Sequence, residues 1–397
     1  MRISFNRMEW AGSVGDLGTL LPLAFAMIMI NGLSATGLFL SIGLLYVLGG
    51  MYYRVPIAVQ PMKVISAYAI AQALSPGVIT ASGMLMAAFL LVLGTTGLVD
   101  FVAKVVPKAV IRGVQMTTGV LLLSKGVQMV VGTSGFQVMR HGVEPFLSVQ
   151  AVGPVPMSLV IGAVFLLITL FLLGSKRFPA GLVVVVFGAL VGVIFGAWRE
   201  LHGVVPGFYM AQFMPFGMPT GVDFSFALLV LVLPQVPMTM GNAVIANRDL
   251  NNEYFGEEGR RVTDRALCIS MGLANAFAAL VGGMPICHGA GGLAAHYRFG
   301  ARTNGSNLII GGAFVALALL LGPGSVNALH LLPMGVLGVL LFFSGAQLAL
   351  TIMDVESRRD LFIVVIMLGI TLPTNLAWAF GVGIALHHIF RKGDLDI

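Results

Sequence analysis

Charge is scarce in this chain: 16 acidic and 22 basic residues among 397, so 10% is charged while 58% is hydrophobic. With a mean hydropathy of +0.97, it would not stay dissolved as a soluble globule. Cysteine is scarcer still. Cys268 and Cys287 both lie in apolar sequence and give neither a disulfide framework nor metal-ligand spacing. No cofactor or metal is expected. Enzyme motifs are missing too: Gly289-Ala290-Gly291-Gly292 has no following Lys-Ser/Thr to make a nucleotide loop, and no Ser-His-Asp arrangement is recognisable. The chain therefore reads as no enzyme, and ATP-driven pumping is disfavoured. The net charge of +6 bears on topology, and nucleic-acid binding finds no support.

What the chain has is apolar length. Many runs approach or exceed the roughly 20 residues that cross a bilayer core. The run from Leu17 to Ile30 continues into more of the same, so it is a span and not a cleaved signal. Spans are expected at 14–31, 35–51, 57–74, 79–98, 107–131, 155–173, 179–196, 222–241, 264–282, 286–299, 305–322, 328–350, 360–372 and 375–390. Long polar loops are expected at 134–154, 197–221 and 242–263, the last the most charged. The final two spans are short enough to form a hairpin around Leu372-Pro373-Thr374-Asn375, and no soluble domain is expected after them. The 22 methionines read as packing residues.

Basic residues test the count. With a cytoplasmic N-terminus, 18 of the 22 fall on the cytoplasmic side, from Arg2 and Arg7 through Lys104, Lys176 and Arg177 to Arg391 and Lys392. Only Lys125, Arg140 and Arg199 fall outside, and Lys63 stays at membrane depth. Both termini are thus expected in the cytoplasm of a multi-pass protein, in a bacterial inner or plasma membrane.

Two spans are interrupted, the third at Val59-Gln60-Pro61-Met62-Lys63 and the tenth at Ile286-Cys287-His288-Gly289-Ala290-Gly291-Gly292. A division near residue 205 leaves seven spans in each half, an odd number that inverts one half against the other. The break then falls third in both, and each first span carries a polar or Pro-rich cluster: Gly15-Asp16-Leu17-Gly18-Thr19 and Pro234-Gln235-Val236-Pro237. A helix starting at membrane depth exposes free N–H groups and the positive end of its dipole. Paired breaks of this kind mark substrate sites in transporters.

These motifs, together with Leu233, Asn242-Ala243-Val244 and Tyr297-Arg298-Phe299-Gly300-Ala301, resemble the molybdate transporter family, relatives of the sulfate permeases. The resemblance spans nearly the whole chain. It implies an all-α membrane fold shared with sulfate and uracil permeases: fourteen segments in a seven-plus-seven inverted repeat, with short extended stretches before half-helices 3 and 10. Spans 1–4 and 8–11 would form a core, and spans 5–7 and 12–14 a gate. In residues, 1–133 holds spans 1–4 and the start of the gate, 134–205 gate spans 6–7, 206–322 spans 8–11, and 323–397 gate spans 12–14. The cytoplasmic STAS domain usual in sulfate permeases is not expected.

An oxyanion suits these residues. Backbone N–H groups at the starts of spans 3 and 10 donate without rotamer cost, and Gly289, Gly291 and Gly292 let an anion approach the second start. Pro61 fits the first helical position of span 3. Gln60, Thr19, Gln235, Thr239 and Asn242 are neutral side-chain candidates, and Met62, Cys287 and Ala290 complete the two starts. Lys63 either balances the anion or pairs with Asp16, or snorkels to the interface. Asp16, a poor ligand for an anion, reads as a coupling proton carrier, an Na⁺ ligand, a partner for Lys63, or an N-cap. His288 is either a site donor with a pKa near neutrality or a structural histidine. Cys287 reads as a packing residue. His387 and His388 look interfacial.

The expected function is secondary active import of molybdate by an elevator-type movement, with proton or Na⁺ coupling and a homodimer both open. Sulfate or bicarbonate transport in the same fold is the main rival, and an anion channel a weaker one. Uracil and purine permeases hold their base with carboxylates on spans 8 and 10. Gln235 and an acid-free stretch from Met284 to Ala295 disfavour that branch here.

Overall fold

A computed structural model of the chain describes residues 3–99, 106–175 and 178–392. Arg2, Lys104, Lys176 and Arg177, four of the basic residues assigned to the cytoplasmic side, lie outside the described residues. The described residues are almost wholly helical. Six helices are long and apolar enough to cross a membrane, or eight when each of two bent pairs counts as one span.

The first half opens with α1 (Arg7–Ser13) and α2 (Leu17–Met29), which meet at a 42° bend around Gly15 and Asp16. Next come α3 (Ala35–Tyr53), strand β1 (Gln60–Pro61) and α4 (Lys63–Gln72). After them run α5 (Pro76–Thr96) and α6 (Lys108–Val131). A short α7 (Gly135–Met139) and a hairpin of β2 (Ala151–Val152) and β3 (Val155–Pro156) occupy the expected loop 134–154, before α8 (Met157–Leu172) and α9 (Ala180–Ile194). Side-chain caps explain several starts: Ser34 accepts from Gly37 N–H, and Ser75 from Val78 N–H with Pro76 in the first turn.

The second half begins with α10 (Gly221–Gly259), 39 residues long. This corrects the expected loop at 242–263. The polar stretch Ala246–Phe255 continues the helix on its own hydrogen bonds. Two π-helical segments, Ala227–Val232 and Thr239–Ile245, flank Pro234 and Pro237. Proline lacks the N–H that closes an α-turn, and widening the helix next to it keeps the remaining ladder intact. Beyond lie α11 (Asp264–Leu280), strand β4 (Ile286–Cys287), α12 (Ala290–Arg298) and α13 (Gly305–Leu321). The chain ends with α14 (Ser325–Leu329), α15 (Met334–Ala349), α16 (Arg358–Thr371) and α17 (Leu376–Lys392).

Helices pack in reciprocal pairs: α3 on α13, α5 on α11, and α6 on α15. Glycines set the closest approach. A Cβ on Gly126 would stand 2.5 Å from Gly338 O, and one on Gly119 2.6 Å from Gly345 O, so α6 and α15 touch backbone to backbone. Lys125 lies within α6, inside the expected span 107–131, and is buried.

At the centre the two breaks meet. β1 and β4 pair antiparallel, Gln60 opposite Cys287 and Pro61 opposite Ile286. Asparagines from neighbouring helices clamp the approach to each strand. Asn307 accepts from Ile57 N–H and donates to Ile57 O (3.1 and 2.8 Å), and Asn275 does the same for Ile286 (3.0 and 2.8 Å). Extended backbone at this depth leaves groups that neither helix nor sheet can satisfy, and the asparagine amides supply the partners.

Candidate functional site

The helix at the first break starts two residues later than the sequence suggests. Met62 is the N-cap and Lys63 the first helical residue, while Pro61 belongs to β1. Its early N–H groups are partly taken. Gln235 Oε1 accepts from Val64 N–H at 2.9 Å and Ile65 N–H at 3.3 Å, and Gln235 Nε2 donates to Thr239 Oγ1 at 2.9 Å. Both residues are buried, and Gln235 caps α4 while Thr239 holds the other end of its amide. Lys63 N–H keeps no acceptor among the described residues. At the second break Gly289 is the N-cap of α12, and the N–H groups of Ala290 and Gly291 likewise have no acceptor.

The glycines at this second start serve different ends. A Cβ on Gly289 would lie 1.9 Å from Gln60 Oε1, and one on Gly292 2.4 Å from Asp16 Oδ2. These two make room for the protein's own side chains, which differs from the expected approach of an anion. Gly291 alone opens onto free space and is exposed.

Asp16 and Gln60 form the polar unit between the breaks. Gln60 Nε2 donates to both oxygens of Asp16, at 2.9 and 2.8 Å, and both residues are buried. Gln60 is thus engaged with Asp16 through the amide expected to face an anion, and its Oε1 is buried without a partner. Asp16 makes no side-chain cap to α2, and no Asp16–Lys63 ion pair forms within 4.0 Å.

His288 points elsewhere. Its Nδ1–H donates to Ala58 O at 2.8 Å, which leaves Nε2 to accept from Ser270 Oγ at 2.9 Å. Tyr53 extends that chain through its bond to Ser270 (2.8 Å), and its ring meets the imidazole edge to face. Both ring nitrogens are held in packing. Cys287 lies buried with Sγ 3.8 Å from Pro61 O, a small residue filling the strand pair.

A cavity of about 490 Å³ opens beside the first break. Lys63, Thr19 and Asn242 line it from one side, and Gln115, Ser344 and Gln347 from α6 and α15 on the other. Lys63 is half-buried there, with no carboxylate within ion-pair distance among the described residues. Asn242 Nδ2 reaches to 3.4 Å from where a Gly289 Cβ would stand, so it joins the cavity wall to the start of α12. A second cavity of about 170 Å³ shares Thr19, Ser344 and Gln347 with the first. The polar residues of α6 and α15 were missed in the sequence, although a lone glutamine or serine inside a membrane helix is itself a signal.

The chain is similar to known transporters in sequence and in fold. The family described as "Molybdate transporter of MFS superfamily" matches residues 8–122 and 227–348. The chain is similar to Molybdate transporter 2 of Arabidopsis thaliana, 29% identical across 98% of this chain and 88% of that one. It is also similar to Molybdate transporter 1 of Chlamydomonas reinhardtii, 30% identical across 96% and 92%. Among solved structures, the transmembrane domain of the cyanobacterial bicarbonate transporter BicA aligns with TM-score 0.63 at 16% identity, covering 97% of this chain and 98% of that one. The murine anion transporter Slc26a9 aligns with TM-score 0.68 at 18% identity, covering 99% and 69%. At such identities the likeness is one of fold.

Proposed function

The chain belongs to the molybdate transporter family, and we propose that it imports molybdate as a secondary active transporter, holding the oxyanion between Lys63 and the start of α12. It is a multi-pass membrane protein, and the relatives from Arabidopsis thaliana and Chlamydomonas reinhardtii are transporters and not enzymes. One observation carries the reading: a lysine without an ion-pair partner at the foot of a half-helix, facing a polar cavity, with an opposed half-helix start beside it. A tetrahedral dianion needs positive potential and several donors in place of its water. Lys63 Nζ, Asn242 Nδ2 and the free N–H groups of Lys63, Ala290 and Gly291 are such donors.

The helix pairing supports a seven-plus-seven inverted repeat. Counted as spans, α3 on α13 is two with eleven and α5 on α11 is four with nine. Adding seven to one pair returns the other, while α6 on α15 (five with twelve) and β1 on β4 (three with ten) map onto themselves. On this reading the cavity lies between the core spans 1–4 and 8–11 and the gate spans 5–7 and 12–14, and an elevator movement of the core would carry Lys63 between the two sides. By residue, 1–133 would hold core spans 1–4 and the start of the gate, 134–205 gate spans 6–7, 206–322 core spans 8–11 and 323–397 gate spans 12–14. The basic-residue distribution supports cytoplasmic termini, which would put the cavity mouth on the cytoplasmic face.

Asp16 and Gln60 offer a route for proton coupling. An added proton turns Asp16 from acceptor to donor, and a rotated Gln60 amide presents the Oε1 that now lacks a partner. Neutralising Asp16 also removes a negative charge from beside the anion. An Na⁺ site and a homodimer are left without a supporting contact in a single chain.

The test is uptake of labelled molybdate into proteoliposomes against excess sulfate, tungstate and bicarbonate, across pH. Competition by tungstate with little effect of bicarbonate, and stimulation by an inward proton gradient, is the expected result. Sulfate or bicarbonate winning that competition would move the assignment to the rival anion.

A further inference from the structure

Two other cations of the cavity already share a carboxylate. Lys108 and Arg112 stand one turn apart at the start of α6, and both line the cavity. Arg112 meets Asp354 with two bonds, Nε–Oδ1 at 2.7 Å and Nη2–Oδ2 at 2.5 Å. Lys108 Nζ lies 3.1 Å from Asp354 Oδ2 and donates to Asp354 O at 2.8 Å. Arg112 Nη1 also donates to Gln115 Oε1 at 2.7 Å, which fixes the plane of the guanidinium.

This arrangement has an excess cation and a replaceable anion. Two positive charges face one negative charge. The planar guanidinium fork suits any pair of oxygens at carboxylate spacing, and an edge of a tetrahedral oxyanion presents such a pair. Hydrogen bonding from Arg112 holds the Asp354 carboxyl well below the usual range, so it stays ionised. The Asp354 side chain is 43% exposed and that of Lys108 61%, so the carboxylate can leave into water without a large desolvation step. An anion travelling between Lys63 and bulk water through this mouth meets Lys108 and Arg112.

We infer that Lys108 and Arg112 form a second oxyanion site at the mouth of the cavity, and that Asp354 is its built-in competitor. The inference rests on the reading that the Lys63 cavity carries an oxyanion. A dianion held by two cations would leave slowly. The return of Asp354 to its partners displaces the anion and speeds release.

Equilibrium binding of labelled molybdate and sulfate to the purified full-length protein tests this, with efflux from preloaded proteoliposomes. Wild type should hold one anion per chain and Asp354→Asn two. Adding Lys108→Gln to Asp354→Asn should return the count to one. Efflux from Asp354→Asn should slow roughly two- to fivefold, the scale of one exposed ion pair. Size-exclusion elution reports folding, and Asp354→Ser repeats the test should the asparagine variant fail it. Wild-type stoichiometry and efflux in either folded variant overturn the inference. Should the Lys63 reading fail instead, Lys63→Ala would bind its anion as wild type does, while Asp354→Asn still gains its own.

Discussion

Gln60 and Asp16 lie 44 residues apart in sequence and are joined by two hydrogen bonds of 2.9 and 2.8 Å, which tie the bend before α2 to the strand before α4. Among the described residues no cation lies within ion-pair distance of this carboxylate, and the neutral Gln60 amide is its direct partner. Proton coupling through this pair predicts that Asp16→Asn flattens the pH dependence of uptake while the protein still folds. Uptake measured from pH 5 to pH 8 checks it, and an unchanged pH profile would place the coupling elsewhere.

Lys63 carries the positive charge of the site. Charge-assisted hydrogen bonds contribute about 1.5–3 kcal/mol, or roughly 10- to 150-fold in affinity. Lys63→Ala should weaken molybdate uptake by that factor, with Lys63→Arg keeping part of it. Concentration-dependent uptake, with protein level measured in the same membranes, gives the comparison. Wild-type kinetics in Lys63→Ala would remove this residue from the site.

Three neighbouring glycines should behave differently. Gly289→Ala and Gly292→Ala push a methyl group into Gln60 and Asp16, and overpacking of this kind costs about 1–3 kcal/mol. Gly291→Ala meets nothing within 4 Å. It should leave thermal stability near wild type and still reduce uptake, because the methyl group enters the space proposed for the anion. Melting curves and uptake on the same three preparations separate the outcomes. Equal destabilisation of all three would contradict the assignment.

Glu144 gives a pH effect on stability with a definite sign. From the loop before β2 it accepts the N–H groups of Met334 and Gly335, both at 2.7 Å, and caps α15. Burial pushes its carboxyl up from 4.5 to about 7, against the opposing backbone bonds. A raised folded-state value means the contribution is complete below pH 4.5 and is lost as pH rises through 7. The melting temperature should therefore fall more between pH 5 and pH 8 in wild type than in Glu144→Gln. Parallel curves would count against it.

Much of the fold was legible because bilayer physics leaves few options. Apolar length located the helices, and the two breaks stood out through Pro61 and the glycines from 289 onward. The interior of the site was less legible. Gln235 and Gln60 are good donors on paper, but a sequence does not reveal that Gln235 caps α4 or that Gln60 is bound to Asp16. The two readings of His288 stayed open for the same reason, since its partners Ala58 and Ser270 come from other segments of the chain. Polar sequence at Ala246–Phe255 suggested a loop because hydropathy reports solvent exposure and not backbone conformation. The buried Asn275 and Asn307 were readable in principle, as unexplained amides inside apolar helices.

The central claim is that an oxyanion sits between Lys63, Asn242 and the start of α12. Anomalous scattering from crystals grown with molybdate and measured at the molybdenum edge tests it most directly. A peak within hydrogen-bonding reach of Lys63 Nζ and the Gly291 N–H is the expected result, lost in Lys63→Ala. A peak elsewhere, or one that persists unchanged in Lys63→Ala, would contradict it.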